Sequence, residues 1–222
     1  MVHIPSTGQP RRLRRRREIL KAASEVFREK GFHSSGMRDI AGVLGIAVGK
    51  LYYWFESKQE LLAFCQRDTL ERLHRMVEAV RELPIPVDAI LYLVIRGHIR
   101  CLNQGTVGSL AHLEAESLEV PWRGPILSLR NRYERSIQEI IARGLREGVL
   151  ADIDPKLGAL GILGAVNWTV KWYRPGGRRR LLDIEHAFAR AQVRGLLAEG
   201  RRFEDPDPTL LPDSNDEENG DE

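Results

Sequence analysis

Between residues 31 and 62 stand side chains able to meet a base edge or a phosphate: Arg38, Lys50, Tyr52, Tyr53 and Lys58. Reading base edges needs donors held close on one short element, which makes Lys50 and Tyr53 the first candidates. Val48 is available for apolar contact with a thymine methyl, and Gly49 permits close backbone approach. Phosphates need cations, hydroxyls or helix-end amides, which Arg38, Tyr52 and Lys58 can offer. Arg11, Arg12 and the run 14–17 add a second set. A flexible basic arm over residues 1–13, continued by Arg14 and Arg15, would lie along phosphates or enter a minor groove; alone, such a run equally describes a solvated charged face. Hydrolytic or redox chemistry finds little here. Neither Ser nor Cys pairs recognisably with a His, and Cys65 and Cys101 fall in apolar-patterned helices. The six histidines, 3, 33, 74, 98, 112 and 186, are scattered without ligand-like spacing. We expect no catalytic residue, no metal and no cofactor.

The elements that must position these groups are legible. Ile19, Leu20, Ala23, Val26 and Phe27 share one face of a helix over 14–30. Gly31 suits the left-handed closing position, with Phe32 folding back as its apolar contact. Ser34 and Ser35 can cap a second helix over 37–44, whose inner face is Ile40, Ala41 and Leu44. The turn Gly45-Ile46-Ala47 leads to a short helix over 48–54, and Ser57 with Glu60 forms a capping box for a long helix running towards Pro84. Two short helices about a glycine turn are the layout of a helix-turn-helix DNA reader.

Composition fits this reading. The 222 residues are 42% apolar, ample for a packed core in one large or two small domains. The longest mainly apolar run, 157–170, is too short to span a bilayer, and two cysteines without paired or ligand-like spacing suit a reducing compartment, so we expect a cytoplasmic protein that uses no membrane. The net charge of +3 hides an asymmetry, because nine acidic residues and no Lys or Arg fall within 204–222. The body is therefore strongly basic. The segment 203–222 is expected to be a disordered acidic tail, either solubilising or competing with DNA for the arginines. From 59 to 202 the pattern is helical throughout: 87–102, 106–118, 126–148, a helix opened by Asp154-Pro155 and running to 174, and one capped by Asp183 and ending near 200. The fold class is all-α, with about nine helices.

Gly31-Phe32, Arg38-Asp39-Ile40-Ala41, Gly45-Ile46, Gly49, Leu51-Tyr52, Phe55, Ser57-Lys58 and Leu61-Leu62 together resemble the N-terminal domain of TetR-type transcriptional repressors. Gly36, Ala47, Val48 and Lys50 depart from the family's commoner residues; the first three should cost a little helix stability, and Lys50 could change the operator read. The resemblance implies a DNA-binding domain over 14–58, a ligand-binding and dimerisation domain over 59–202, and a homodimer on a near-palindromic operator. It places the dimer interface on the last two helices, where Gly158, Gly161 and Ala165, and Ala187, Ala191 and Gly195, offer close-approach ridges; ordinary intrachain packing is the alternative.

The stretch from Asn167 through Trp168, Lys171 and Trp172 to Gly177 resembles a segment of the TetR subgroup that senses acyl-CoA thioesters. An apolar cavity with a basic rim would suit such a ligand, with Tyr92, His98, Cys101, His112, Tyr133, Asn167, Trp168, Lys171, Trp172 and Arg178 as candidates. The tryptophans read equally as core, and arginines 178–180 as a solvated loop. A repressor of an efflux or stress operon sensing lipophilic drugs is the alternative effector class. A thioesterase-like acyl-CoA enzyme is disfavoured for want of a nucleophile.

Overall fold

The computed structural model describes residues 10–104 and 117–211, which form two compact units. The first takes in residues up to 69 together with those up to 129 in the second described stretch; the second takes in 70–104 and residues from 130 onward. Eight α-helices follow in order among the described residues: α1 Pro10–Lys30, α2 Met37–Val43, α3 Val48–Tyr52, α4 Lys58–Arg81, α5 Val87–Asn103, α6 Val120–Arg146, α7 Pro155–Trp172 and α8 Leu181–Leu196. The helix expected over 106–118 lies almost wholly outside the described residues.

In the first unit, Ile19, Leu20, Ala23, Val26 and Phe27 of α1 are buried, as the 3.6-residue spacing requires. Gly31 has φ +79° and donates its N–H to the Phe27 carbonyl at 2.9 Å. Phe32 meets Phe27 edge-to-face at 5.2 Å, completing the apolar contact of that helix stop. The start of α2 differs from expectation. Ser35 turns its hydroxyl to the Phe32 carbonyl, and Gly36 is the capping residue. The carboxylate of Asp39 accepts from the Gly36 N–H at 2.7 Å, so the cap is made from inside the helix. At α4, Ser57 accepts from the Glu60 N–H at 3.0 Å, while Glu60 reaches back to the Glu56 N–H at 2.7 Å. Helix α1 begins at Pro10, so residues 10–13 are not a flexible arm; proline is well tolerated in a first turn, where its missing N–H would have no partner.

The second unit is built around α5, fifteen of whose seventeen residues are buried, so the helix is covered on every side. Leu73 and Val77 from α4, Ile137 and Ile141 from α6, Ile162 and Val166 from α7, and Ile184 and Val193 from α8 belong to the same core. Asp154 caps α7 by accepting from the N–H groups of Lys156 and Leu157. Asp183 instead lies inside the first turn of α8 and pairs with Arg180. The last helix ends at Leu196, where Ala151 donates to the Leu196 carbonyl and Ala198 to that of Val149, forming a single antiparallel bridge that replaces the expected continuation to 200. Helix α6 starts at Val120, six residues earlier than expected; Pro121 falls in its first turn, where a missing N–H costs least, and Pro125 is carried inside the helix.

The expected disordered tail is corrected over 203–211. Phe203 and Leu211 are buried, Phe203 lies 5.1 Å from the Tyr92 ring, Asp205 forms an ion pair with Arg190, and Asp207 caps the turn Pro208–Leu210. Two buried apolar residues and two partnered carboxylates outweigh the acidic composition of the segment.

Candidate nucleic-acid interface and effector site

Helix α3 has only five residues, and it is held from one side. Leu51 is completely buried, and the Ile46 N–H bonds the Ala41 carbonyl across the turn, where Gly45 takes φ +63°. The opposite side is open: Gly49 and Lys50 are exposed, Tyr52 is half exposed and Tyr53 is 76% exposed, with Val48 partly covered. The base-contact candidates Lys50 and Tyr53 thus stand on the free side of the helix with Gly49 between them and the turn. Arg38 is exposed in the first turn of α2, and Val43, the last residue of the same helix, is 53% exposed.

The basic candidates divide. Arg14 is exposed, with Glu18 at 3.9 Å, and Arg15 pairs with Glu18 at 2.6 Å. Lys58 is engaged internally. Its ammonium donates to the carbonyls of Phe32 at 2.6 Å and Ser35 at 2.8 Å and lies 4.3 Å from the centre of the Phe32 ring. Burial pulls its pKa down, and Asp39 opposes that. The expectation that Lys58 is a surface phosphate contact, removable without harm to packing, is therefore corrected: two of its three donors close the turn between α1 and α2.

In the second unit three expected residues come together. His98 contacts the Tyr133 hydroxyl through Nδ1 at 2.8 Å and Asn167 Oδ1 through Nε2 at 2.9 Å. An amide oxygen only accepts, so Nε2 carries the proton and Nδ1 accepts from Tyr133. Burial lowers the His98 pKa to about 4, partly opposed by Asn167, and raises that of Tyr133 well above the usual phenol value, with Cys101 adding to the rise. The imidazole is neutral at physiological pH. Tyr92 is buried elsewhere, its hydroxyl meeting His186 Nδ1. Glu185 accepts from Arg96 at 3.3 Å and from Arg100 at 2.9 Å, a buried network with no sequence signal beyond charge.

The remaining effector candidates do not join His98. Trp168 is 63% exposed, Trp172 is exposed and lies 6.0 Å from Phe188, and Lys171 and Arg178 face solvent. Both readings of the indoles, as core and as lining of a cavity around His98, are corrected, because they point outward from α7. His112 lies outside the described residues. Among the small residues, Gly158 is buried, with its missing Cβ 3.1 Å from Ile141, so its role is packing within the chain. Gly161 is exposed with open space above it, Ala165 is half-buried, and Ala187, Ala191 and Gly195 are exposed on α8. Leu157, Leu160 and Trp168 extend the exposed apolar stripe along α7.

A short outward-facing recognition helix locked by a glycine turn, followed by an all-helical second unit, defines a helix-turn-helix DNA-binding regulator. Residues 19–64 match the family of bacterial regulatory proteins of the tetR type, and residues 86–196 match the tetracyclin repressor-like C-terminal domain. The chain belongs to the TetR family of transcriptional regulators. It is 28% identical over 189 residues to the HTH-type transcriptional repressor KstR2 of Mycobacterium tuberculosis, covering 84% of this chain and 94% of the relative. It is 25% identical over 183 residues to the fatty acid metabolism regulator protein of Bacillus subtilis, covering 81% and 94%. Among solved structures, the TetR family regulator PfmR of Thermus thermophilus superposes with a TM-score of 0.73 at 29% identity, covering 81% of this chain and 99% of that one.

Proposed function

We propose that this protein is a dimeric repressor released from a near-palindromic operator by a lipophilic acyl effector, an acyl-CoA thioester of lipid or aromatic-acid metabolism. The observation that carries the effector reading is the His98, Tyr133 and Asn167 chain, a neutral polar handle in the interior of the second unit. A thioester carbonyl can take the place of Asn167 as acceptor of the Nε2–H, or of His98 as acceptor of the Tyr133 hydroxyl. Asn167 and Lys171 are four residues apart on α7, so one helix face carries the amide and, a turn later, the first of the cations that continue through Arg174 and Arg178. Phosphates of a carrier need such cations. The relation to a fatty acid metabolism regulator supports the same ligand class.

Dimerisation is proposed through the exposed stripe of α7 and α8, where Gly161, Ala187, Ala191 and Gly195 leave room for a second backbone. The test is a panel of CoA esters, free fatty acids and hydrophobic amines, read by thermal shift and by release from an operator selected out of random DNA. Stabilisation and release by CoA esters is the expected result. A response to hydrophobic amines alone would replace the acyl reading with that of a drug sensor, and hydrolysis of the thioesters would replace it with an enzyme.

A further inference from the structure

Within the arginine run ahead of the reader, one member behaves unlike the rest. Arg14 has a side-chain exposure of 86%, whereas Arg16 has 7%, too little to reach a phosphate. Its guanidinium carbon lies 4.4 Å from the ring centres of both Phe55 and Phe64. From that position Nη2 donates to Glu60 Oε1 at 2.7 Å and to the Trp54 carbonyl at 3.3 Å. The second oxygen of Glu60 accepts from the Glu56 N–H at 2.7 Å. Residues 54–56 leave α3 directly, so the exit of the recognition helix is gripped at both ends by one ion pair. We propose that Arg16 is a positioning residue for DNA reading, which fixes the direction of α3 by clamping its exit through Glu60 and the Trp54 carbonyl.

The chemistry explains why an arginine stands there. A planar guanidinium can put its π faces against aromatic rings and still donate in its own plane, whereas an ammonium cannot do both. Phe55 is completely buried and bonds back to the Leu51 carbonyl, so any loosening at residue 55 passes into the helix that carries Lys50 and Tyr53. Base contacts depend on angle and distance, and phosphate contacts much less, so the clamp should matter for specific sites and hardly at all for generic DNA.

This inference rests on the DNA-binding reading, and the experiment separates the two. The full-length protein is titrated with its selected operator and with random duplex across a salt series, as wild type, Arg16→Lys, Arg16→Met and Glu60→Gln. Each variant should lose about ten-fold in operator affinity while random-duplex affinity changes less than two-fold, far below the full specific-to-random ratio of such proteins. The salt slope should stay at its wild-type value, whereas a lost phosphate contact would lower it by about 0.9. The double variant Arg16→Met with Glu60→Gln should be no worse than either single one, because both break the same clamp. If Arg16→Met does not fold, Arg16→Lys and Glu60→Gln carry the test. A lowered melting temperature with unchanged operator affinity would overturn the proposal and leave Arg16 as packing. An equal loss on both DNAs with a smaller slope would overturn it in favour of a phosphate contact. Failure of the wild type to select any sequence would sink the repressor reading itself, and this inference with it.

Discussion

His98 should make the stability of the second unit depend on pH in a window where most histidines are indifferent to folding. The imidazole has a pKa of about 4 in the folded chain against 6.5 for the free side chain. Below 6.5 the unfolded chain takes up a proton that the folded chain refuses until about pH 4, so stability falls as pH falls through that interval and the loss levels off beneath it. One pKa unit corresponds to about 1.36 kcal/mol, so the full effect is about 3 kcal/mol, of which roughly 2.5 kcal/mol is lost by pH 4.5. Carboxylates such as Asp205, held low by Arg190, lose their own stabilisation on acidification, and the comparison must cancel them. His98→Gln does so, since a glutamine amide can accept from Tyr133 and donate to Asn167 without titrating. Denaturant titrations of both proteins at steps from pH 7.5 to 4.5 are the assay. Wild type should lead the variant at neutral pH, and that lead should shrink by about 2.5 kcal/mol on acidification. A difference that stays constant with pH would refute the argument, because it would mean that the imidazole is protonated in the fold or already hydrated there.

Lys58→Met should lower the stability of the reader by about 2 kcal/mol, the cost of two charged hydrogen bonds to backbone carbonyls, with little change in random-duplex affinity; an unchanged melting curve with weakened binding would return Lys58 to the phosphate set. Lys50→Ala should alter the preferred base at one operator position by about 1 to 3 kcal/mol, read by selection from randomised sites, and an unchanged preference removes it from base reading. Phe203→Ala should cost about 3 kcal/mol because its ring is buried against Tyr92, while Glu204→Ala beside it should stay within about 0.5 kcal/mol. Equal thermal shifts for that pair would show that the segment after α8 is not docked in solution.

Local rules carried the sequence a long way. Gly31 with Phe32, Ser57 with Glu60, and Asp154 with Pro155 each act within four residues, and each was found where spacing placed it. What escaped was non-local. The carbonyls held by Lys58 lie 26 and 23 residues away, and Arg16 meets Glu60 across 44, distances at which no periodicity speaks. Trp168 and Trp172 were ambiguous because α7 is apolar around much of its circumference, so the pattern alone could not separate its inner face from its outer one. His98, Tyr133 and Asn167 were each singled out, yet only the packing of α5, α6 and α7 joined them while leaving the indoles outside. The docked segment 203–211 was hidden by composition, since its acidic residues outnumber the apolar ones that anchor it.

The near-total burial of α5 limits how this regulator can change over evolutionary time. Gly97 shows how tight the surroundings are, since a methyl group there would come within 2.7 Å of Met76. A helix with no free face cannot accept an enlarged side chain on one side without displacing a neighbour on another. New effector preferences are therefore more accessible through α6 and α7, which each keep a solvent face able to absorb compensating shifts. Lineages of such proteins should accordingly hold the residues of α5 nearly fixed in volume while its neighbours diverge, and a repertoire of ligands can arise from one invariant central column.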